Sequence, residues 1–199
     1  MKSYLPILLL FLLNACQTST SSEERTEDGL TKGASSRLPL SDKLPHLDLP
    51  ITIDKELLAE HPGKIITAAG APVLSNPMEL KEVRAIAQIK GFDQKMVLLY
   101  YAYPTDSEVD DYDQMALVAI NDLGNISAIL PLDIGGTGFA STQNWIKKDG
   151  EILTALIAEM EAVELEVKTY RFKNGRFTEA RQVSESFQDG SYQVFLDEL

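Results

Sequence analysis

Val163-Glu164-Leu165-Glu166-Val167-Lys168-Thr169-Tyr170-Arg171-Phe172-Lys173-Asn174-Gly175-Arg176-Phe177 is the stretch on which the fold assignment turns. Val163, Leu165 and Val167 alternate with Glu164, Glu166 and Lys168, the two-residue period of a strand with one dry and one wet face. Lys173-Asn174-Gly175-Arg176 then turns the chain, and Phe177 to Val183 returns. Asn-Gly supplies the two consecutive positive-φ positions of a type I′ turn, so the pattern predicts a hairpin.

The same grammar recurs upstream. Met115 to Ile120 is an apolar, β-rich run, Asn121-Asp122-Leu123-Gly124-Asn125 is a turn, and Ile126 to Leu132 answers it. Lys148-Asp149-Gly150-Glu151 reads as a second turn of the Asn-Gly kind, between Asn144–Lys147 and Ile152–Ala158. A further hairpin joins Val83–Lys90 to Met96–Tyr103 across Gly91-Phe92-Asp93-Gln94. The prolines Pro39, Pro45 and Pro50 suggest an extended lead-in strand from Leu47 to Ile53, and Asp54 to Glu60, ended by Pro62-Gly63, reads as a short helix. The expectation is a mainly β fold: an antiparallel meander of hairpins, sandwich-, barrel- or partial-propeller-like, with one or two short helices.

Two segments carry both periodicities. Asn76-Pro77-Met78-Glu79 looks like a helix start, whereas Val83, Ala85, Ala87 and Ile89 alternate as in a strand. Glu151 to Lys168 fits helical spacing through Leu153, Leu156, Ile157, Met160, Val163 and Val167, yet its flanking turns favour two strands joined near Glu159–Ala162. Helices at these two places would make the fold α+β.

Composition bounds the function. The chain has 199 residues, 44% of them apolar, and a formal charge of -12, which suits one globular domain. Such a charge disfavours sequence-independent nucleic-acid binding and attraction to an anionic membrane surface. At the amino terminus, Leu5 to Leu13 is apolar apart from Pro6, too short to span a bilayer and suited to the h-region of an export signal. Leu13-Asn14-Ala15-Cys16 follows, and it resembles the lipobox of bacterial lipoproteins. The resemblance covers residues 1–16. It implies that Cys16 carries a diacylglyceryl thioether, usually with a third acyl chain on the new amino group, after removal of residues 1–15. Two or three acyl chains, at about 0.8 kcal/mol per buried methylene, hold a protein on a membrane without spanning it. Loss of Lys2 would take the charge to -13, and with Cys16 lipidated no other cysteine remains for a disulfide, zinc site or nucleophile. Gln17 stands where an Asp would resemble an inner-membrane retention signal, so the outer membrane is the expected address.

Residues 16–45 are rich in Ser, Thr, Glu, Asp, Gly and Lys, with only Leu30, Leu38, Leu40 and Leu44 able to enter a core. They read as the lipidated Cys and a flexible tether, with a reach of roughly 30 Å at about 5–6 Å × √n. Residues 46–199 are then the β-rich domain.

Asp133-Ile134-Gly135-Gly136-Thr137-Gly138 resembles the first phosphate motif of actin-like sugar kinases, but the second phosphate and adenosine motifs are missing, and the string reads as a glycine-rich loop or bulge linking strands. Asp106, Glu108, Asp110, Asp111 and Asp113 crowd one segment and could hold a hard cation such as calcium, or supply a general acid and base. The segment lacks the glycine and terminal Glu of an EF-hand. His46 and His61 form no zinc pattern, and no serine-nucleophile elbow is present. Tyr100, Tyr101, Tyr103, Tyr112, Trp145 and Tyr192 could line a binding groove, although strand aromatics more often pack. Asp189-Gly190-Ser191-Tyr192 loosely resembles the small-residue-plus-Tyr loops of periplasmic lysozyme inhibitors. No cofactor is expected. The leading expectation is a lipid-anchored, non-catalytic envelope module that binds a protein or a glycan; the alternatives are an envelope hydrolase using carboxylates near Asp106–Asp113 or Asp133, and an inhibitor of a basic lytic enzyme.

Overall fold

The computed structural model describes residues 43–66, 82–102, 113–137, 139–159, 161–188 and 191–198, together with 38, 40 and 74. The expected hairpins form. β4 (Glu82–Ile89), β5 (Lys95–Ala102), β6 (Asp113–Ile120) and the first part of β7 (Ile126–Thr137) make one antiparallel sheet. The end of β7 pairs instead with β8 (Ala140–Ile146), which continues through β9 (Ile152–Glu159), β10 (Val163–Lys173) and β11 (Arg176–Phe187) as a second sheet. The fold is therefore mainly β, a meander bent into two layers; residues 83–89 are strand, Ile152–Glu159 and residues 163–168 are strands, and the suggested helix start at 76–79 lies outside the described residues. Among the described residues β11 pairs only with β10, and the sheet does not close into a barrel.

Two glycines sit at the bend. Ile134 is the last β7 residue paired to β6, through Asp113, and Gly135 is the first paired to β8, through Thr142. A strand changing partners must coil sharply, and residues without a Cβ permit that at low steric cost. The glycine string is thus part of a strand at the corner between the sheets.

The amino-terminal segment stitches the layers together. β1 (His46–Leu47) runs parallel on the outer edge of β4, while β2 (Ile51–Ile53) pairs with β8 at Ile146, Trp145 and Asn144, beyond the point where β7 has left. The expected single strand from Leu47 to Ile53 is accordingly two strands in different sheets. Pro50, which lacks an N–H for a ladder, lies in the crossing, after a cis Leu49–Pro50 bond. α1 (Lys55–Glu60) follows as expected, with Asp54 Oδ1 accepting from the Leu57 N–H at 2.8 Å as its N-cap. β3 (Lys64–Ile66) returns to cover more of the β4 edge.

Each face of the first sheet is dry. Met96, Leu98, Met115, Leu117, Leu130 and Leu132 point between the layers and meet Ile53, Ile146, Ile152 and Phe177. Val97, Leu99, Tyr101, Ala116 and Val118 point the other way, beneath Leu38, Leu44, Ile66 and Leu74. Burial on both sides explains why β5 is an almost unbroken apolar run rather than an alternating one. Folding begins earlier than the composition suggests, since Leu38 and Leu44, placed in the expected tether, are each only 8% exposed. The outer face of the second sheet carries its own cluster, Leu153, Ile157, Leu165 and Val167, roofed by Leu196 of α2 (Tyr192–Asp197).

The turns follow their residues. Asn174 and Gly175 both have positive φ, 54° and 76°, as the type I′ reading requires. The Lys147–Glu151 turn differs from the Asn-Gly kind expected there. Only Gly150 is left-handed, at φ 81°, and the Gly150 N–H donates to Lys147 O at 2.9 Å while the Lys147 N–H donates to Glu151 O at 2.8 Å. This is the longer hairpin loop in which an ordinary turn is followed by one left-handed residue.

Candidate functional site

Registers across the second sheet place residues from four strands in rows on the face that looks toward the first sheet. At one end the row Ile146, Ile152, Tyr170 and Glu179 passes into the core. The next row is Asn144, Thr154, Lys168 and Gln182, and the one after it Thr142, Leu156, Glu166 and Ser184. One sheet face thus runs from apolar to polar along its length. The first sheet does not cover the polar end, because β7 has bent away to pair with β8, and an open niche of about 200 Å³ lies there between Pro131 and Asp133 on one side and Thr154, Leu156, Glu166, Lys168 and Tyr170 on the other.

The wall at the bend is fixed by hydrogen bonds. Asp133 O, at the point where β7 changes partners, accepts from Asn144 Nδ2 at 2.8 Å and from Thr142 Oγ1 at 2.9 Å. Asn144 is 1% exposed, one of two buried polar side chains among the described residues. Its amide is held in one orientation by this bond, and its Oδ1 has no donor among the described residues.

The opposite wall is a charge pair. Lys168 Nζ lies 2.9 Å from Glu166 Oε1, which also accepts from Gln182 Nε2 at 3.1 Å. The hydrogen bond to Glu166 is the main reason that the Lys168 ammonium is held above its ordinary range, against the opposing effect of burial. Tyr170, half-buried at the junction with the core, has its phenol pushed up chiefly by burial; Lys168 and a hydrogen bond with Thr154 pull it the other way. At neutral pH the niche therefore presents a neutral phenol, a neutralised ion pair, and an immobilised amide. A second hollow of about 220 Å³ lies among the hairpin tips, where Arg171 and Glu151 are paired at 3.0 Å and the Phe92 and Phe172 rings meet edge to face.

The residues singled out by sequence fare differently. Cys16, Tyr103, Asp106, Glu108, Asp110, Asp111 and Tyr112 lie outside the described residues. Asp113 opens β6, paired through its backbone with Ala102 and Ile134. Tyr101 is 0% exposed in the cluster beneath Leu38 and Leu44, so it packs and does not line a groove. Trp145 and Tyr192 do come together, but on the outer face of the second sheet, against the cluster under α2. Ser191 and Tyr192 belong to the start of that helix, with the Tyr192 hydroxyl 3.5 Å from Glu159 Oε1. His46 is in β1 and His61 ends α1.

Asn144, Glu166, Lys168 and Tyr170 were missed by sequence reasoning. The available signal was the same-face series Glu164, Glu166, Lys168, Tyr170, Phe172, which changes from charged to aromatic within one strand. Together these features define a two-layered antiparallel β protein with a polar niche at the corner between its sheets. In comparisons with known proteins, no family model, curated sequence or solved structure matches the chain.

Proposed function

We propose that this is a lipid-anchored cell-envelope protein whose β-module is a non-catalytic binding unit, recognising its partner through the polar end of the second sheet. Leu13-Asn14-Ala15-Cys16 supports the anchor, and the outer membrane is the favoured address. The observation that carries the binding role is the polar row Asn144, Thr154, Lys168 and Gln182 on a face that is core one row away. Such a face presents fixed donors and acceptors on rigid strands, which suits recognition.

The anchor is tested by replacing Cys16 with Ser. Mass spectrometry of the wild-type protein is expected to show an acylated residue 16 as the new amino terminus, and Cys16→Ser is expected to leave the membrane fraction. An unmodified amino-terminal methionine, or equal sedimentation of the two proteins, would refute the anchor.

A further inference from the structure

We infer that the niche at the sheet corner is a subsite for one neutral sugar residue. The inference deepens the binding-module reading and rests on it, while standing apart from the anchor at Cys16.

Charge narrows the ligand first. The one cation facing the niche, Lys168, is 2.9 Å from Glu166, and Asp133 adds a further carboxylate to the rim. A phosphate or carboxylate would meet more negative than positive charge. Among the described residues no three His, Cys, Asp or Glu side chains gather as metal ligands, so a cation finds no cage there.

Hydrogen bonding narrows it further. Asn144 is nearly fully buried, its Nδ2 committed to Asp133 O, and its Oδ1 has no donor among the described residues. A buried acceptor without a donor is costly, and a ligand hydroxyl relieves it. Glu166 can accept and the Tyr170 phenol and Lys168 can donate, so the niche asks for groups that do both. Sugar hydroxyls do. The half-buried Tyr170 ring, Pro131 and Leu156, itself 45% exposed, offer apolar surface for the C–H face of a pyranose.

Size and topology settle between a sugar and a peptide. About 200 Å³ equals about seven water volumes at about 30 Å³ each, room for one ring. A peptide added as a strand needs a free edge; of the strands lining the niche, β8, β9 and β10 are paired on both sides, and β7, paired there with β6 alone, places Pro131, which has no N–H to donate, at its edge.

The test uses the full chain as isolated, in a detergent without sugar headgroups, probed by saturation-transfer NMR with glucose, galactose and N-acetylglucosamine, and with inorganic phosphate as the charged comparator. At least one sugar is expected to bind with Kd on the order of 1 mM, as befits a single ring. Asn144→Leu and Tyr170→Ala are expected to weaken it at least tenfold. Glu166→Gln, partly exposed at the rim, is expected to weaken it several-fold in protein that still unfolds cooperatively. Silence from every sugar, phosphate binding in their place, or sugar binding indifferent to Glu166→Gln and Tyr170→Ala in folded protein would overturn the inference. Sedimentation of Cys16→Ser scores the anchor separately, so a chain that sediments correctly yet ignores all three sugars sinks the subsite alone.

Discussion

Replacing Leu38 and Leu44 together by serine tests where the folded domain begins. Each is 8% exposed and lies over Val97, Leu99, Tyr101 and Val118 on the second dry face of the first sheet. Burying one leucine side chain contributes about 1.5–3 kcal/mol, so removing both is expected to cost about 3–6 kcal/mol. Against a typical total of about 5–15 kcal/mol that is a large share, and it corresponds to a fall in Tm of roughly 10–20 °C for a domain of this size. The assay is urea unfolding of the chain from residue 17 onward, followed by the fluorescence of Trp145, its only tryptophan. Trp145 packs in the cluster under α2, away from the substitutions, so it reports global unfolding. Leu123→Ser is the control: Leu123 is 72% exposed, and the change is expected to alter stability by no more than about 0.5 kcal/mol. A loss under about 1 kcal/mol for the double variant would refute the packing of Leu38 and Leu44.

Two further outcomes follow from the geometry. Gly175→Ala places a side chain at φ 76° in the β10–β11 turn and is expected to cost about 1–2 kcal/mol in the urea midpoint without changing the m-value. The Tyr170 phenol is held above its ordinary value chiefly by burial and the Lys168 ammonium above its own by the hydrogen bond to Glu166. For both, the folded state binds the proton more tightly than the unfolded chain. Their stabilisation is complete below about pH 10 and is lost as pH rises through the folded values. Unfolding measured from about pH 9 to about pH 11.5 should show this decline, and Tyr170→Phe should remove the late-ionising phenolate from the ultraviolet titration; an unaltered titration curve would contradict the assignment.

The meander was legible because its signals are local. Asn174-Gly175 dictates its turn whatever surrounds it, and Val163, Leu165 and Val167 alternate without help from other strands. Burial on two faces was visible in hindsight in the unbroken run Met96 to Tyr101, the mark of a strand covered on both sides. The cover itself was not. Leu38 and Leu44 sit in a polar stretch whose average composition argues against order, and two well-placed leucines do not change an average. The niche was illegible for another reason. Asn144 and Lys168 share one row only because each pairs with Thr154 from opposite sides, a register no local pattern encodes. Tyr101 admitted both readings, with packing the commoner one, because a strand tyrosine has the same local appearance in a groove as in a core, and only the burial of its face decides.

The crossing of the first two strands also governs how the molecule would yield to a pull. Among the described residues, tension arriving from the amino-terminal side meets Leu38 and Leu44 first, then the two-residue parallel contact of His46 and Leu47, then the three-residue contact of Ile51 to Ile53. These are short fastenings beside the eight-residue ladder between the fifth and sixth strands. Under load the domain would peel like a hasp, baring an oily flank and the rim of the eighth strand while the longer hairpin ladders stayed shut.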